Sequence, residues 1–262
     1  MAAANEVRFA FGKNWTGFLS VMDDDRVREA TARLYAALGD LTGKSFLDVG
    51  CGSGIHSLAA VRLGASRVFS FDYDLQSVEC TKEMKRRFAA DADWHIERGS
   101  ILDDAYVASL GKFDVLYSWG VLHHTGNMWK ALDLAALPAT EKLMIAIYND
   151  QGWKSRFWLS FKRSYNQRGA LTRRLLEWLV FLWAWGKPFL LHPSTTVHRW
   201  KNYFRERGMS PWYDVVDWAG GYPFEVATPA QLIAFYEKRG FVVDRSQLTE
   251  YGGCNEIVFR RR

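Results

Sequence analysis

The sequence predicts an α/β fold: a seven-stranded, mostly parallel sheet with an antiparallel edge pair, plus a helical cap inserted after strand five. Three observations predict it. Short apolar runs of strand length alternate with segments of helical periodicity from residue 44 to residue 148, the pattern of right-handed βαβ units. The chain ends in a helix followed by two strand-like runs with no helix between them, which calls for an antiparallel pair. Between these parts, from 149 to 228, the alternation stops and the sequence turns Trp-rich, basic and helical in several pieces.

Taken in order, residues 23–38 place Val27, Ala30, Leu34 and Leu38 at helical spacing behind an acidic first turn, which predicts a helix. Residues 44–49 (KSFLDV) form a first strand and 53–63 the helix after it. A second strand over 67–71 (RVFSF) leads into a helix over 75–89. A weak third strand covers 94–97, and a fourth, FDVLY, covers 113–117. A helix over 129–137 and a fifth strand over 142–148 (KLMIAIY) complete the alternation. After the insert come a helix over 229–238 and strands at 241–247 and 256–259, joined by a loop that holds Gly252 and Gly253.

Composition narrows the function. With 262 residues the chain is one large domain or one domain with a sizeable addition. A hydrophobic fraction of 48% and a charged fraction of 24% exclude wholesale disorder, collagen and coiled coil. Cys51, Cys80 and Cys254 form no C-x-x-C pair, so neither a disulfide framework nor a metal site is expected. The most apolar run, 175–191, is cut by Glu177, Gly186, Lys187 and Pro188, too soon for a bilayer span, and a cytoplasmic protein is expected. The net charge of +5 hides an asymmetry: residues 150–210 carry twelve Lys and Arg against three Asp and Glu, so the remainder is slightly acidic. Eight of the twelve Trp fall in the same insert.

The strongest local signal is Asp48-Val49-Gly50-Cys51-Gly52-Ser53-Gly54, a strand running into a glycine turn and then a helix. Backbone there must approach a ligand closely, at the carboxyl end of the sheet where open α/β folds bind. A dinucleotide site fits poorly, since Ile55 stands where the last glycine belongs and Asp48 would repel a pyrophosphate. No Lys-Ser/Thr pair follows, as a P-loop requires. Asp48 suits instead a ligand with a cationic end. Asp72, at the end of the second strand, can accept from both hydroxyls of a ribose. The set describes a site for an amino acid joined to a nucleoside.

These residues resemble the class I S-adenosylmethionine (SAM)-dependent methyltransferases, and within them a small-molecule, quinone-type O-methyltransferase subgroup. The likeness rests on FLDVGCGSG, VFSFDYD, Gly99-Ser100-Ile101 and FDVLYSWGVLHHTGN; it covers about 44–148 and resumes at 224–261. It implies a Rossmann-like sheet with SAM as cofactor. By resemblance, Asp48, Gly50, Cys51, Gly52 and Gly54 serve the methionine portion, and Asp72 with Tyr73 the ribose. Ser100 and Ile101 would flank the adenine and Trp119 would line the site. Ser100 stands where many relatives have Asp, so its hydroxyl or the backbone would contact the adenine. Residues 1–43 are expected to form a helical lid in which Trp15 folds over the cofactor. Residues 44–149 and 224–262 then make the cofactor domain, and 150–223 the cap.

Methyl transfer mainly requires alignment, with a general base where the acceptor is a hydroxyl. His123 and His124 follow the fourth strand, and His124 is the preferred base. Tyr148 ends the fifth strand, within reach of an acceptor, as is Asn149. His56, on the helix after the glycine turn, reads as structural or as a neighbour of the cofactor rather than as a base. Tyr222 and Glu225 mark the seam between cap and sheet. For the cap, a small soluble acceptor competes with two other readings. Leu175, Leu179, Leu182 and Trp183 beside Arg173 and Arg174 would suit a peripheral membrane contact. Basic residues interleaved with aromatics could instead track RNA, a less favoured partner. The expectation is O-methylation of a small or lipophilic hydroxyl acceptor. A wobble-uridine-type tRNA methyltransferase and a non-catalytic SAM-binding regulator are the alternatives.

Overall fold

The computed structural model describes residues 19, 22–207, 211–250 and 252–262. Its sheet half runs α1 (Asp24–Leu38), β1 (Ser45–Val49), α2 (Ile55–Arg62), β2 (Arg67–Asp72), α3 (Leu75–Phe88), β3 (Trp94–Arg98) and α4 (Asp104–Ser109). It continues through β4 (Phe113–Trp119), α5 (Met128–Ala136) and β5 (Ala139–Tyr148). The insert follows as α6 (Trp153–Gln167), α7 (Ala170–Phe181), a π-helical turn (Leu182–Gly186), α8 (Lys187–Leu191), α9 (Pro193–Arg207) and α10 (Pro211–Gly220). Helix α11 (Pro229–Glu237) and strands β6 (Phe241–Gln247) and β7 (Cys254–Arg261) close the fold.

β1 is buried from Phe46 to Val49 because it lies at the sheet's centre, parallel to β2 on one side and β4 on the other. The strand order is β3-β2-β1-β4-β5-β7-β6, with β7 antiparallel to both neighbours. The edge pair expected from the sequence is therefore present. Alternate residues of β1 divide the core: Phe46 faces α1, α2 and α3 through Leu34, Leu58 and Met84, while Leu47 faces α5 and α11 through Leu132 and Tyr236. Helix α1 packs on α2 over one sheet face; Trp15 of the expected lid lies outside the described residues.

The element boundaries follow local chemistry. Asp23 caps α1, its side chain accepting from Arg26 N at 2.9 Å. Thr228 and Gln231 form a reciprocal capping box at α11, with Pro229 in its first turn. Two elements depart from the periodicity reading. Helix α4 has only six residues, too few to show a helical stripe in the sequence. β5 begins three residues earlier than its apolar run because Ala139 pairs with Phe113, while Thr140 and Glu141 stay exposed.

The insert is anchored where it leaves and returns. Asn149 and Ala227 form a parallel bridge, Ala227 N donates to Tyr148 O (3.1 Å), and Asp150 N donates to Ala227 O (3.3 Å). Its helices enclose their own core of Tyr165, Val180, Trp185, Tyr203, Val215 and Ala219. Among the described residues, no helix is long and apolar enough to cross a membrane.

One contact from the seam holds α5 in place. Both carboxylate oxygens of Glu225 accept from Met128 N, at 3.1 and 3.0 Å, satisfying a donor that the helix start leaves open. Glu225 is thus committed to the fold rather than aimed at an acceptor. Glu225→Ala is expected to cost about 1 kcal/mol and lower Tm by about 2–4 °C. Thermal unfolding measures this; an unchanged Tm would remove the cap from the account.

Candidate functional site

The turn after β1 lies at the sheet's switch point, where β2 departs to one side and β4 to the other. Gly50, Gly52 and Gly54 take φ of 78°, 54° and 79°, conformations side chains resist. At Gly50 a Cβ would also meet Val121 Cγ1 at 2.4 Å, so the backbone of the turn packs directly on the Val121 side chain of the loop after β4. Gly50 N (2.9 Å) and Cys51 N (3.2 Å) both donate to Phe71 O. Thr81 Oγ1 donates to Gly52 O at 3.2 Å. Helix α2 begins at Gly54 without a side-chain cap, which leaves its first N–H groups and positive dipole end to the site.

Two carboxylates serve this turn differently. The Asp72 carboxylate accepts from Gly52 N (3.0 Å) and Asp74 N (2.9 Å) and lines a cavity of about 1890 Å³. Burial pushes its pKa up to about 6 against those two hydrogen bonds. Asp48 does not line the cavity. It is buried behind the turn, where its carboxylate accepts from Ser57 Oγ. Ser57 Oγ lies 2.7 Å from Ser70 Oγ, which accepts from Trp94 Nε1 at 2.7 Å. This chain ties β1, α2, β2 and β3 together beneath the sheet's surface. Burial raises Asp48 to about 7, only partly offset by the Ser57 hydroxyl. The expected contact between Asp48 and a cationic ligand is corrected accordingly: the side chain at this position turns into the core.

The remaining cavity wall comes from elements after residue 117. Trp119, 44% exposed, donates from Nε1 to Glu256 Oε1 at 2.9 Å across the mouth. His124 and Tyr148 line the cavity, their rings 5.5 Å apart and perpendicular. His124 Nδ1 donates to Pro223 O at 2.5 Å, so the lone pair resides on Nε2. Burial lowers His124 to about 4, with Pro223 O opposing and Lys162 adding to the shift, so the ring is neutral at pH 7. His123 does not line the cavity. Fully buried, it packs between His124 (4.4 Å) and Tyr148 (4.1 Å). Burial holds its pKa well below the usual range, and neither ring nitrogen has a well-formed hydrogen-bond partner among the described residues. It supports the other two rings rather than facing a substrate.

The structure brings Gly50, Cys51, Gly52, Asp72, Tyr73, Ser100, Ile101, Trp119, His124 and Tyr148 around one cavity. Asp48, Gly54 and His123 stand behind it, and His56 joins the wall, its ring 5.0 Å from Tyr117. The residue that sequence reasoning missed is Lys162. It lines the cavity from α6 at 1% exposure, donating to Trp218 O with Nζ 4.8 Å from the Trp218 ring centre and 5.2 Å from that of Phe224. One signal could have found it: Ser155, Lys162, Tyr165 and Asn166 share the buried face of α6, and a lysine there is out of place. Among the described residues no cluster of His, Cys, Asp and Glu is fit to hold a metal ion.

Comparison with known proteins fits this division. The family described as ribosomal protein L11 methyltransferase (PrmA) matches residues 30–117. The ribosomal protein L11 methyltransferase of Alteromonas mediterranea is 54% identical over 48 residues, 18% of this chain and 16% of that protein. That of Thermotoga maritima is 41% identical over 76 residues, 29% of this chain and 26% of that protein. The chain thus spans about a quarter or less of the length of these curated relatives. Among solved structures, the magnesium protoporphyrin IX methyltransferase of Synechocystis with bound SAH aligns over 99% of this chain and 90% of its own, with TM-score 0.53 and 16% identity. An S-adenosylmethionine-dependent methyltransferase from Mesorhizobium loti aligns over 88% and 96%, with TM-score 0.53 and 14% identity. The chain has the class I SAM-dependent methyltransferase fold.

The buried carboxyls carry a pH signature. Asp48 and Asp72 hold their protons more tightly folded than unfolded. The stability each contributes is therefore complete below the unfolded value near 4 and lost as pH rises to about 7 and about 6 respectively. Asp48→Asn should remove its share: the stability advantage of the native chain over the variant shrinks between about pH 4 and pH 7, on the order of 3 kcal/mol. Urea unfolding at both ends of that window tests it, and a gap that does not change would overturn it.

Proposed function

We propose that this protein is a SAM-dependent methyltransferase whose acceptor is a small, largely apolar molecule with an ionisable oxygen. The single observation that carries this is the continuity of the cavity. One space of about 1890 Å³ runs from the glycine turn and Asp72 to His124, Tyr148 and Lys162 beneath the cap. Single-ligand pockets usually hold about 300–1,000 Å³, so there is room for a cofactor and an acceptor together. The cofactor end fits SAM on its own terms: a turn closed to side chains at Gly50, the uncapped start of α2, and a carboxylate with lone pairs left for a ribose. Bound there, SAM would supply a methyl group already activated on a sulfonium.

The chain's own residues supply the rest. Trp153, Phe157, Trp158, Trp183 and Phe224 line the cap end of the cavity with aromatic surface, suited to a flat or lipophilic acceptor. Lys162 adds a buried positive charge, which lowers the pKa of an acceptor hydroxyl beside it. His124, neutral and fixed by Pro223, offers Nε2 to take the hydroxyl proton. With SAM bound, the acceptor oxygen would take the methyl group, its new bond to carbon replacing the carbon–sulfur bond whose pair would stay on sulfur. Proximity and alignment do most of the work, on the order of 7–11 kcal/mol at best. A protein acceptor, as the names of the L11 methyltransferases state for those proteins, is the second reading. The family match that favours it ends at residue 117, ahead of every acceptor-side residue named here.

Calorimetry with SAM, then labelled-methyl transfer into fractionated cell extract, tests both layers. Asp72→Ala is expected to weaken SAM binding at least about tenfold through lost hydrogen bonds to an ionised group. In the native chain, affinity should fall below about pH 6 as Asp72 takes up its proton. Lys162→Met should leave SAM affinity intact and move the pH midpoint of turnover upward. Label found only in ribosomal protein would replace the small-molecule reading with the second one.

A further inference from the structure

The cap exposes more large apolar surface than its own core explains. Leu171, Leu175 and Leu179 on α7 and Leu182 at the start of the π-helical turn follow one another at spacings of four, four and three residues and are 87%, 60%, 52% and 55% exposed. They form one stripe along the helix, opposite the buried Glu177 and Val180. The stripe continues past the π-helical turn onto α8, where Leu190 and Leu191 are 82% and 61% exposed. Arg168, Arg174, Lys187 and Arg199 are exposed in the same segment, Arg174 paired with Glu177. From 151 to 203 the chain has one carboxylate, Glu177, and it is buried against Tyr165 and Arg174.

We propose that this face of the cap docks on an anionic lipid surface, α7 and α8 lying in the plane of the headgroups with their leucines in the acyl boundary. An exposed aliphatic row in a segment, 151–203, that is rich in cations and whose one carboxylate is buried is complementary to such a surface. A second copy of the chain would set these same cations against one another. Helices of this length lie on a bilayer and do not cross it. Trp183, next to Leu182 in the chain and 62% exposed, also lines the cavity, which brings the cavity wall to this segment. A lipophilic acceptor would enter there from the bilayer; that step rests on the methyl-transfer reading above, while the docking does not.

Flotation of the full chain with phosphatidylcholine vesicles, with and without phosphatidylglycerol, tests the docking. Binding is expected on the anionic vesicles, falling as salt rises from about 0.1 M to 1 M and the screening length shrinks from about 10 Å to about 3 Å. The double variant Leu171→Ser, Leu190→Ser should weaken partitioning at least about tenfold, with Tm and SAM affinity unchanged. Absence of flotation, equal flotation on neutral vesicles, or full binding by the variant would overturn the proposal. So would a tRNA mobility shift or a concentration-dependent dimer that the same substitutions abolish without any vesicle binding. SAM affinity, read separately, distinguishes failure of the cofactor assignment from failure of the docking.

Discussion

The site depends on one constraint: the chain leaving β1 must cross to α2 between the end of β2 and the loop after β4 without room for a side chain. Gly50 meets it by passing within reach of Val121, in a conformation that an L side chain would strain. Everything nearby takes its position from that passage. Phe71 O is shared by Gly50 N and Cys51 N, Gly52 N fixes one oxygen of Asp72, and Asp74 N fixes the other. The carboxylate is therefore aimed by backbone, from two elements that meet only because the turn is narrow. Such an acceptor is held in place before any ligand arrives, which is how a site avoids reorganisation cost on binding.

The same narrowness explains Asp48. A carboxylate two residues before the turn cannot follow the backbone round into the cavity, so it turns into the core and must be satisfied there. Ser57, Ser70 and Trp94 provide the chain of hydrogen bonds, and each has a second use, since Ser57 sits on α2 and the other two on β2 and β3. A buried polar network costs stability unless every member is paired. Here it fixes the register of three strands and a helix directly behind the cavity.

Much of this was legible in the sequence because it is local. Strand-length runs alternating with helical stripes fixed the order of elements, and the glycines after FLDV located the turn and its approach to a ligand. Asp72 was legible for the same reason: a strand end beside that turn has only one side to face. What escaped were choices made by tertiary packing. Nothing in the spacing told Asp48 from Asp72, or His123 from His124, because neighbours at a strand end or in a short 3-10 turn point in different directions. Helix α4 is too short for periodicity, and β5 was extended by its partners. Lys162 was hidden among the basic residues of the insert, and only its place on the buried face of α6 separates it from the others.

The chain divides its labour at about residue 117. Before it lie the turn, Asp72 and the nucleoside-side residues, the stretch that the L11 methyltransferases share. After it, the far wall is assembled from the loop after β4, the end of β5, α6, the 222–225 seam and the start of β7. These segments converge because the insert leaves the sheet at Asn149 and rejoins it at Ala227, one strand-width apart. The cap is fastened around that bridge and through the contacts of Glu225 with Met128 and of Pro223 with His124, so changes in its outer helices need not disturb the turn. Likeness over the first half therefore bears on how a cofactor would be held. The second half, with its buried lysine, neutral histidine and aromatic walls, is where the proposed apolar acceptor with an ionisable oxygen would sit.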